Sequence, residues 1–225
     1  RGRECRPRGR GDGVSRDDEA TCHHGDVTAA RAASSLRRLL AYEGATRDDG
    51  AAREVAPEIL HVACWTPEFC AALVEAADAA GMAADPHDPV PGEEVSLARI
   101  SPVLFEHVER DMGTRIWPRL VAHWPLAEYR GIHDAFVIRY EPGRQESLRL
   151  HHDVAQVSGS VRLNDGYEGA VLEFPRQGFD TSCIPVGDLV AWPSLVTHPH
   201  RGTTIRSGVK YALTIWFELP ISLEA

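Results

Sequence analysis

The stretch FVIRYEPGRQESLRLHHD, residues 136–153, decides how the rest of the chain is read. Its opening is rich in β-branched and aromatic residues and belongs to a strand expected over 134–141. Glu141-Pro142-Gly143 is turn chemistry, and a second extended run over 147–152 carries the chain into His151, His152 and Asp153. On a strand, side chains two apart leave the same face, so His151 and Asp153 converge on one point while His152 turns away.

Downstream the same grammar continues, with short β-type runs at 157–164, 170–174, 188–192 and 209–218 separated by turns. Upstream it changes. Ile59–Trp65 suits a strand, and Thr66-Pro67-Glu68 opens a helix with an N-cap, a proline at the first helical position and an early acid, ending at Gly81. That helix should pack through Phe69, Leu73 and Ala77. A second helical region over about 101–123 carries Leu104, Val108, Met112 and Ile116 as a buried stripe. Residues 83–97, with their prolines and acids, read as a long loop. Helices followed by six short strands predict an α+β domain whose C-terminal half is a β-sandwich or jelly roll.

The first 55 residues read differently. Residues 1–26 are rich in Arg, Gly and Asp and offer little to bury, which predicts disorder. Cys5, Cys22, His23 and His24 lack the closely spaced second pair that a zinc site needs. Residues 27–41 suit a helix and 42–55 a linker, so a compact domain is expected over 56–225. That domain holds 13 basic and 23 acidic residues of the chain's 24 and 33, a balance that argues against nucleic-acid or anionic-membrane partners. Five cysteines without a CxxC pair predict neither a disulfide framework nor a zinc ribbon. No apolar run approaches the ~20 residues of a spanning helix, and no signal segment is read, so a cytoplasmic enzyme is expected.

A metal needs a third ligand besides His151 and Asp153, and the later histidines are His198 and His200, in THPHRGTTIRSGVKY. Two histidines and a carboxylate make the facial triad of non-haem iron(II) oxygenases, which leaves coordination positions open. The chain's single lysine, Lys210, lies ten residues after His200 and shares a strand face with Ala212 and Thr214. A 2-oxoglutarate that chelates iron through its keto-acid end needs a buried cation for its far carboxylate, and small neighbours leave room for it. Tyr211, Leu213, Ile215 and Phe217 on the opposite face suit packing against another layer.

FVIRYEPGRQESLRLHHD, LNDGYEGA, and THPHRG before GVKYALTIWF together resemble the iron(II) and 2-oxoglutarate-dependent dioxygenases of the prolyl and lysyl hydroxylase type, most closely the catalytic domain of procollagen lysyl hydroxylases. The resemblance is strong over 134–218, weaker over about 57–125 and absent over 1–55. It implies a double-stranded β-helix (jelly roll) core with N-terminal supporting helices. It also implies iron ligands His151, Asp153 and His200, with His198 beside the site, and a 2-oxoglutarate pocket of Lys210, Tyr140 and Ser160. Ser160 stands where the lysyl hydroxylases carry an Asn, and Ala170 replaces the second glycine of their YEGG. Asp153 separates the chain from the related halogenases, which have a small residue there.

Hydroxylation of a lysyl-like side chain, free or peptidyl, with release of succinate and CO2 is the implied activity, with dioxygen as the second cosubstrate. Arg149 is expected at the pocket mouth, and the loop at 83–97 is expected to receive a cationic group through Asp88, Glu93 or Glu94. The alternatives are the same chemistry on a small natural-product intermediate, a non-catalytic jelly-roll binding module, and a zinc hydrolase, which would give Lys210 no task. No oligomeric state is read from the sequence.

Overall fold

A computed structural model describes residues 33–218 apart from 49, 85–89 and 126. The expected disordered head and the cysteines and histidines within it, together with Asp88, lie outside the described residues.

Residues 33–41 form helix α1. Strands β1 (Arg53–Ala56) and β2 (Ile59–Ala63) lead into helix α2 (Pro67–Ala80). The start of α2 follows its sequence signals: Thr66 Oγ1 accepts the Phe69 N–H at 3.3 Å and Pro67 needs no helical N–H partner. Phe69, Leu73 and Ala77 are buried as their spacing predicts. Strand β3 (Glu93–Ser96) then runs directly into helix α3 (Leu97–Ile100). The expected loop over 83–97 is therefore wrong at its C-terminal end. Two adjacent acids are weak strand formers, but here a full partner strand and an ion pair outweigh that propensity.

The second helical region is segmented into α4 (Pro102–Asp111), a π-helical turn (Met112–Ile116) and α5 (Trp117–Leu120). Its stripe is continuous all the same, with Leu104, Val108, Met112 and Ile116 each at most 1% exposed. Gly113 sits in the turn because the Tyr129 ring fills the space beside it; a Cβ there would lie 2.5 Å from a ring carbon.

The remaining strands are β4 (Ile132–Tyr140), β5 (Leu148–His151), β6 (Val157–Arg162), β7 (Glu168–Gly169), β8 (Leu172–Phe174), β9 (Phe179–Asp180), β10 (Asp188–Pro193), β11 (His200–Gly202), β12 (Ile205–Ser207) and β13 (Lys210–Phe217). The six expected runs are all present; β7, β9, β11 and β12 are two- and three-residue strands beyond them. Seven strands form an antiparallel sheet in the order β1-β2-β10-β6-β13-β4-β3, and four form a second in the order β5-β11-β8-β9.

Strand alternation gives the large sheet two different faces. Val137, Val161, Leu213 and Ile215 pack against Leu73, Leu104 and Ile116 of the helices in the main core, each buried side chain contributing about 1.5–3 kcal/mol. Leu39, Ala45 and Ala52 join the same core, so α1 and the segment after it, expected to lie outside the compact domain, are packed into it. The opposite face meets the small sheet and the adjoining β7–β12 pair through two clusters. Ile138, Tyr140 and Ala212 pack with Ala170 and Ile205, and Val190 and Trp192 pack with Phe174 and Ile184. Between them the two sheets enclose a cavity of about 610 Å³.

Candidate active site

Strands β5 and β11 pair so that His151 and His200 are cross-strand partners, which brings their rings to 4.4 Å between centroids. Asp153 follows the end of β5. One ligand atom from each of the three residues lies within 4.8 Å of the others. His151 Nε2 is 3.6 Å from Asp153 Oδ1, and His200 Nε2 is 3.6 Å from Oδ2. These separations are too long for hydrogen bonds and suit atoms that would share an ion.

The surroundings orient each ligand. His151 Nδ1 lies 2.8 Å from the Arg149 carbonyl and His200 Nδ1 lies 3.0 Å from the His198 carbonyl. A carbonyl only accepts, so each Nδ1 carries the proton and each Nε2 presents a lone pair to the centre. Burial, against the pull of Asp153, lowers the His200 pKa and keeps that ring neutral, as a ligand must be. Asp153 is 4% exposed, and its Oδ2 has no hydrogen-bond partner among the described residues. An orphaned buried carboxylate oxygen is expensive, and a cation bound here would satisfy it. The three residues thus fit a metal ion with N,N,O ligation and an open side facing the cavity.

His198 is buried but turned elsewhere, with Nε2 3.2 Å from the Pro57 carbonyl and Nδ1 3.0 Å from Thr197 Oγ1. Its side chain takes no part in the cluster, to which it contributes only the carbonyl that orients His200.

Lys210 lines the same cavity from the large sheet. It is 6% exposed, its Nζ donates to the Ala170 carbonyl and lies 5.2 Å from the Tyr140 ring centroid, and among the described residues it has no carboxylate partner. Burial, reinforced by the positive Arg162, pushes its pKa down from 10.5 to about 7. Ala170 holds φ +47, the left-handed region where the glycine of the resembling motif would be unstrained. The backbone shape that offers its carbonyl to Lys210 is retained without that glycine.

Tyr140 pairs with Lys210 across β4 and β13, and Ser160 pairs with Thr214 across β6 and β13. All four side chains face the cavity. Gly202 is required beside them, since a Cβ there would lie 2.8 Å from Tyr140 Oη. Arg149 and Glu94 also line the cavity; Glu93 does not. Alternation along β3 sends Glu93 to the other face, where it takes ion pairs from Arg139 and Arg144 and is 8% exposed. The expectation that Glu93 receives a substrate is therefore corrected.

Sequence reasoning missed Phe136, Trp192 and Trp216, which complete the apolar wall. Trp192 packs edge-on at 5.0 Å from the His200 ring, and Trp216 meets Phe136 at 5.2 Å. Trp216 was within reach, because it continues the Lys210, Ala212, Thr214 alternation.

Comparison with solved structures places this architecture. A viral collagen prolyl hydroxylase from Paramecium bursaria Chlorella virus-1, in a 2-oxoglutarate complex, superposes with a TM-score of 0.56 at 16% identity, over 74% of this chain and 99% of that one. A Pseudomonas putida prolyl-4-hydroxylase gives 0.53 at 18% identity, over 72% and 92%. The chain has the fold of the 2-oxoglutarate and iron(II) oxygenases. Its sequence is similar to the Caenorhabditis elegans multifunctional procollagen lysine hydroxylase and glycosyltransferase, 35% identical over 81 residues that make up 35% of this chain and 11% of that protein. It is also similar to the rat procollagen-lysine,2-oxoglutarate 5-dioxygenase 1, 29% identical over 123 residues, 49% of this chain and 17% of the relative. The match thus spans less than a fifth of the length of these curated relatives. No protein-family model matches the chain. Among the described residues no helix is long and apolar enough to cross a membrane.

Proposed function

We propose that the chain is an iron(II)- and 2-oxoglutarate-dependent oxygenase that hydroxylates an amino-acid side chain, lysyl-like and either free or peptidyl, releasing succinate and CO2. One observation carries this reading. A single cavity holds a two-histidine, one-carboxylate cluster and a buried lysine that has no anionic partner among the described residues, contributed by the two facing sheets. In this reading the sheets are the halves of a double-stranded β-helix, with α2–α5 as its supporting layer. The catalytic unit includes α1 as well as the expected 56–225, because Leu39 is fully buried in the shared core.

When bound, iron with 2-oxoglutarate and dioxygen supplies the oxidising power that replaces a substrate C–H by C–OH. The protein's own residues do the rest. His151, Asp153 and His200 hold the metal from one side and leave the cavity side open to exchangeable ligands. Lys210 binds the far carboxylate of 2-oxoglutarate, and Tyr140, Ser160 and Thr214 offer hydroxyls along the same wall. Trp192 and Phe174 pack on His200 and fix its plane. Phe136, Ile138 and Leu172 exclude water. At the substrate end Glu94 offers a carboxylate and Arg149 a guanidinium.

A non-catalytic module is disfavoured by the orphaned Asp153 oxygen and the charge-starved Lys210, two destabilising features that a purely structural domain has no reason to combine. A cytoplasmic site of action is part of the proposal; among the described residues Cys64, Cys70 and Cys183 carry free thiols, which suits a reducing compartment. The deciding experiment is succinate formation from 2-oxoglutarate with Fe(II) and oxygen, screened against lysine, proline, arginine and short peptides containing them. Stimulation by at least one is expected; absence of turnover, coupled or uncoupled, refutes the reading.

A further inference from the structure

Six large apolar side chains are substantially exposed among the described residues: Val55, Val103, Leu150, Val154, Leu195 and Val196, at 38, 48, 50, 69, 44 and 69%. Four of the six surround the metal-binding cluster. Leu150 directly precedes His151, Val154 directly follows Asp153, and both line the cavity mouth. The Leu195 N–H donates to the Asp153 carbonyl at 2.9 Å, which seats the turn Leu195–Thr197 beside them.

That turn is held rather than loose. Ser194 Oγ and Ser158 Oγ share a buried hydrogen bond of 2.7 Å, the Ser194 N–H reaches the Gln156 carbonyl at 3.3 Å, and Thr197 Oγ1 donates to the Ser194 carbonyl at 3.3 Å. Leu195 itself sits at φ +62, a left-handed conformation that leucine rarely adopts. Strain of this kind, maintained by surrounding bonds and presenting an apolar side chain to water next to a candidate reactive centre, marks a binding surface.

Leu195 and Val196 do not line the cavity, and the bond from the Leu195 N–H to the Asp153 carbonyl sets their turn just beyond its mouth. A small molecule held inside would not reach them. An extended polypeptide with one side chain in the cavity would, because its flanking residues are spaced at about 3.3 Å along the chain and must cross the rim. We propose that Leu150, Val154, Leu195 and Val196 form a docking rim for a polypeptide substrate carrying a bulky apolar residue next to the side chain that is modified. The inference rests on the oxygenase reading and narrows its substrate to a chain rather than a free amino acid.

The test uses fluorescein-labelled seven-residue peptides with a central lysine or proline flanked by leucine, glycine or aspartate. Binding to the metal-free protein is followed by anisotropy, and uncoupled 2-oxoglutarate turnover is measured in parallel. The variant is Leu195→Asn and Val196→Ser combined, both outside the cavity lining, with Leu195→Asn alone as a second variant, since Asn tolerates the left-handed backbone. Wild type is expected to bind a leucine-flanked peptide at least tenfold more tightly than its glycine-flanked counterpart. The double variant should shrink that ratio to about twofold and Leu195→Asn should lower it part-way, both with unchanged uncoupled turnover and thermal unfolding. Equal binding of all flanks by wild type, or an unchanged ratio in both variants, overturns the proposal. So does rim-dependent binding to phosphatidylcholine vesicles, or rim-dependent self-association, without peptide discrimination. Discrimination in a protein that shows no iron- and 2-oxoglutarate-dependent turnover would retain the rim and remove the oxygenase reading.

Discussion

Lys210→Met converts the buried cation into an apolar side chain of similar length, and its effect can be worked from the Lys210 environment. Burial moves the lysine from 10.5 to about 7. In the window between those values the unfolded chain binds more protons at this site than the folded one, so folding stability rises with pH there. Each pH unit of displacement is worth about 1.4 kcal/mol. The lysine therefore destabilises the ligand-free protein by about 5 kcal/mol at low pH, about 4 at pH 7 and about 2 at pH 9. Urea unfolding of metal-free wild type and variant at pH 7 and pH 9 isolates the term, because all other titrating groups are shared. The gain of wild type over the variant between the two pH values should be about 2 kcal/mol. At pH 7 the variant should be the more stable, with part of its advantage offset by the Ala170 carbonyl left without its donor, about 1–3 kcal/mol. With metal present, 2-oxoglutarate affinity should collapse in the variant while metal binding persists. Parallel pH profiles, or equal loss of metal and 2-oxoglutarate binding, would refute the assignment of Lys210 as a charge awaiting a carboxylate.

Three further outcomes follow from the geometry. Asp153→Ala should abolish Fe(II) or Mn(II) retention in equilibrium dialysis, a loss exceeding the ~10–100-fold typical of outer-shell changes, without lowering apo stability, since it removes an unpartnered oxygen. Gly202→Ala should push the Tyr140 hydroxyl out of its place and weaken 2-oxoglutarate binding with little change in metal affinity; calorimetry of both ligands separates the two. Glu93→Gln should destabilise the fold by about 1–3 kcal/mol through its two arginine partners and leave substrate KM alone, whereas Glu94→Gln should raise KM for a cationic substrate; a raised KM in Glu93→Gln with none in Glu94→Gln would reverse the faces of β3.

Much of the site could be read because its chemistry repeats at short, regular intervals. His151 and Asp153 were paired by the two-residue period of a strand, and they do converge although β5 ends at His151 and Asp153 lies just past it; Lys210 with Ala212 and Thr214 needed the same rule on β13. Helix α2 announced its ends with Thr66, Pro67 and Gly81. What escaped depends on partners distant in sequence. Strand β3 exists because β4 accepts it, and without that partner Glu-Glu-Val-Ser beside a proline-rich stretch looks like loop, which is how Glu93 came to be misplaced. Strand β11 is three residues long, too short to show a period, although it sets His200 opposite His151. The inclusion of α1 rests on Leu39 fitting a core assembled from segments far along the chain, and composition carries no trace of that fit.

The central claim, that metal and 2-oxoglutarate meet in the cavity shared by the His151, Asp153, His200 cluster and Lys210, is most directly tested by anaerobic titration of the protein with Fe(II) and then 2-oxoglutarate, followed by visible absorption. The account predicts a charge-transfer band that appears only when both are present, is lost in Asp153→Ala, and in Lys210→Met requires far higher 2-oxoglutarate concentrations. A protein that binds Fe(II) yet never develops the band, or develops it equally in Lys210→Met, would contradict it.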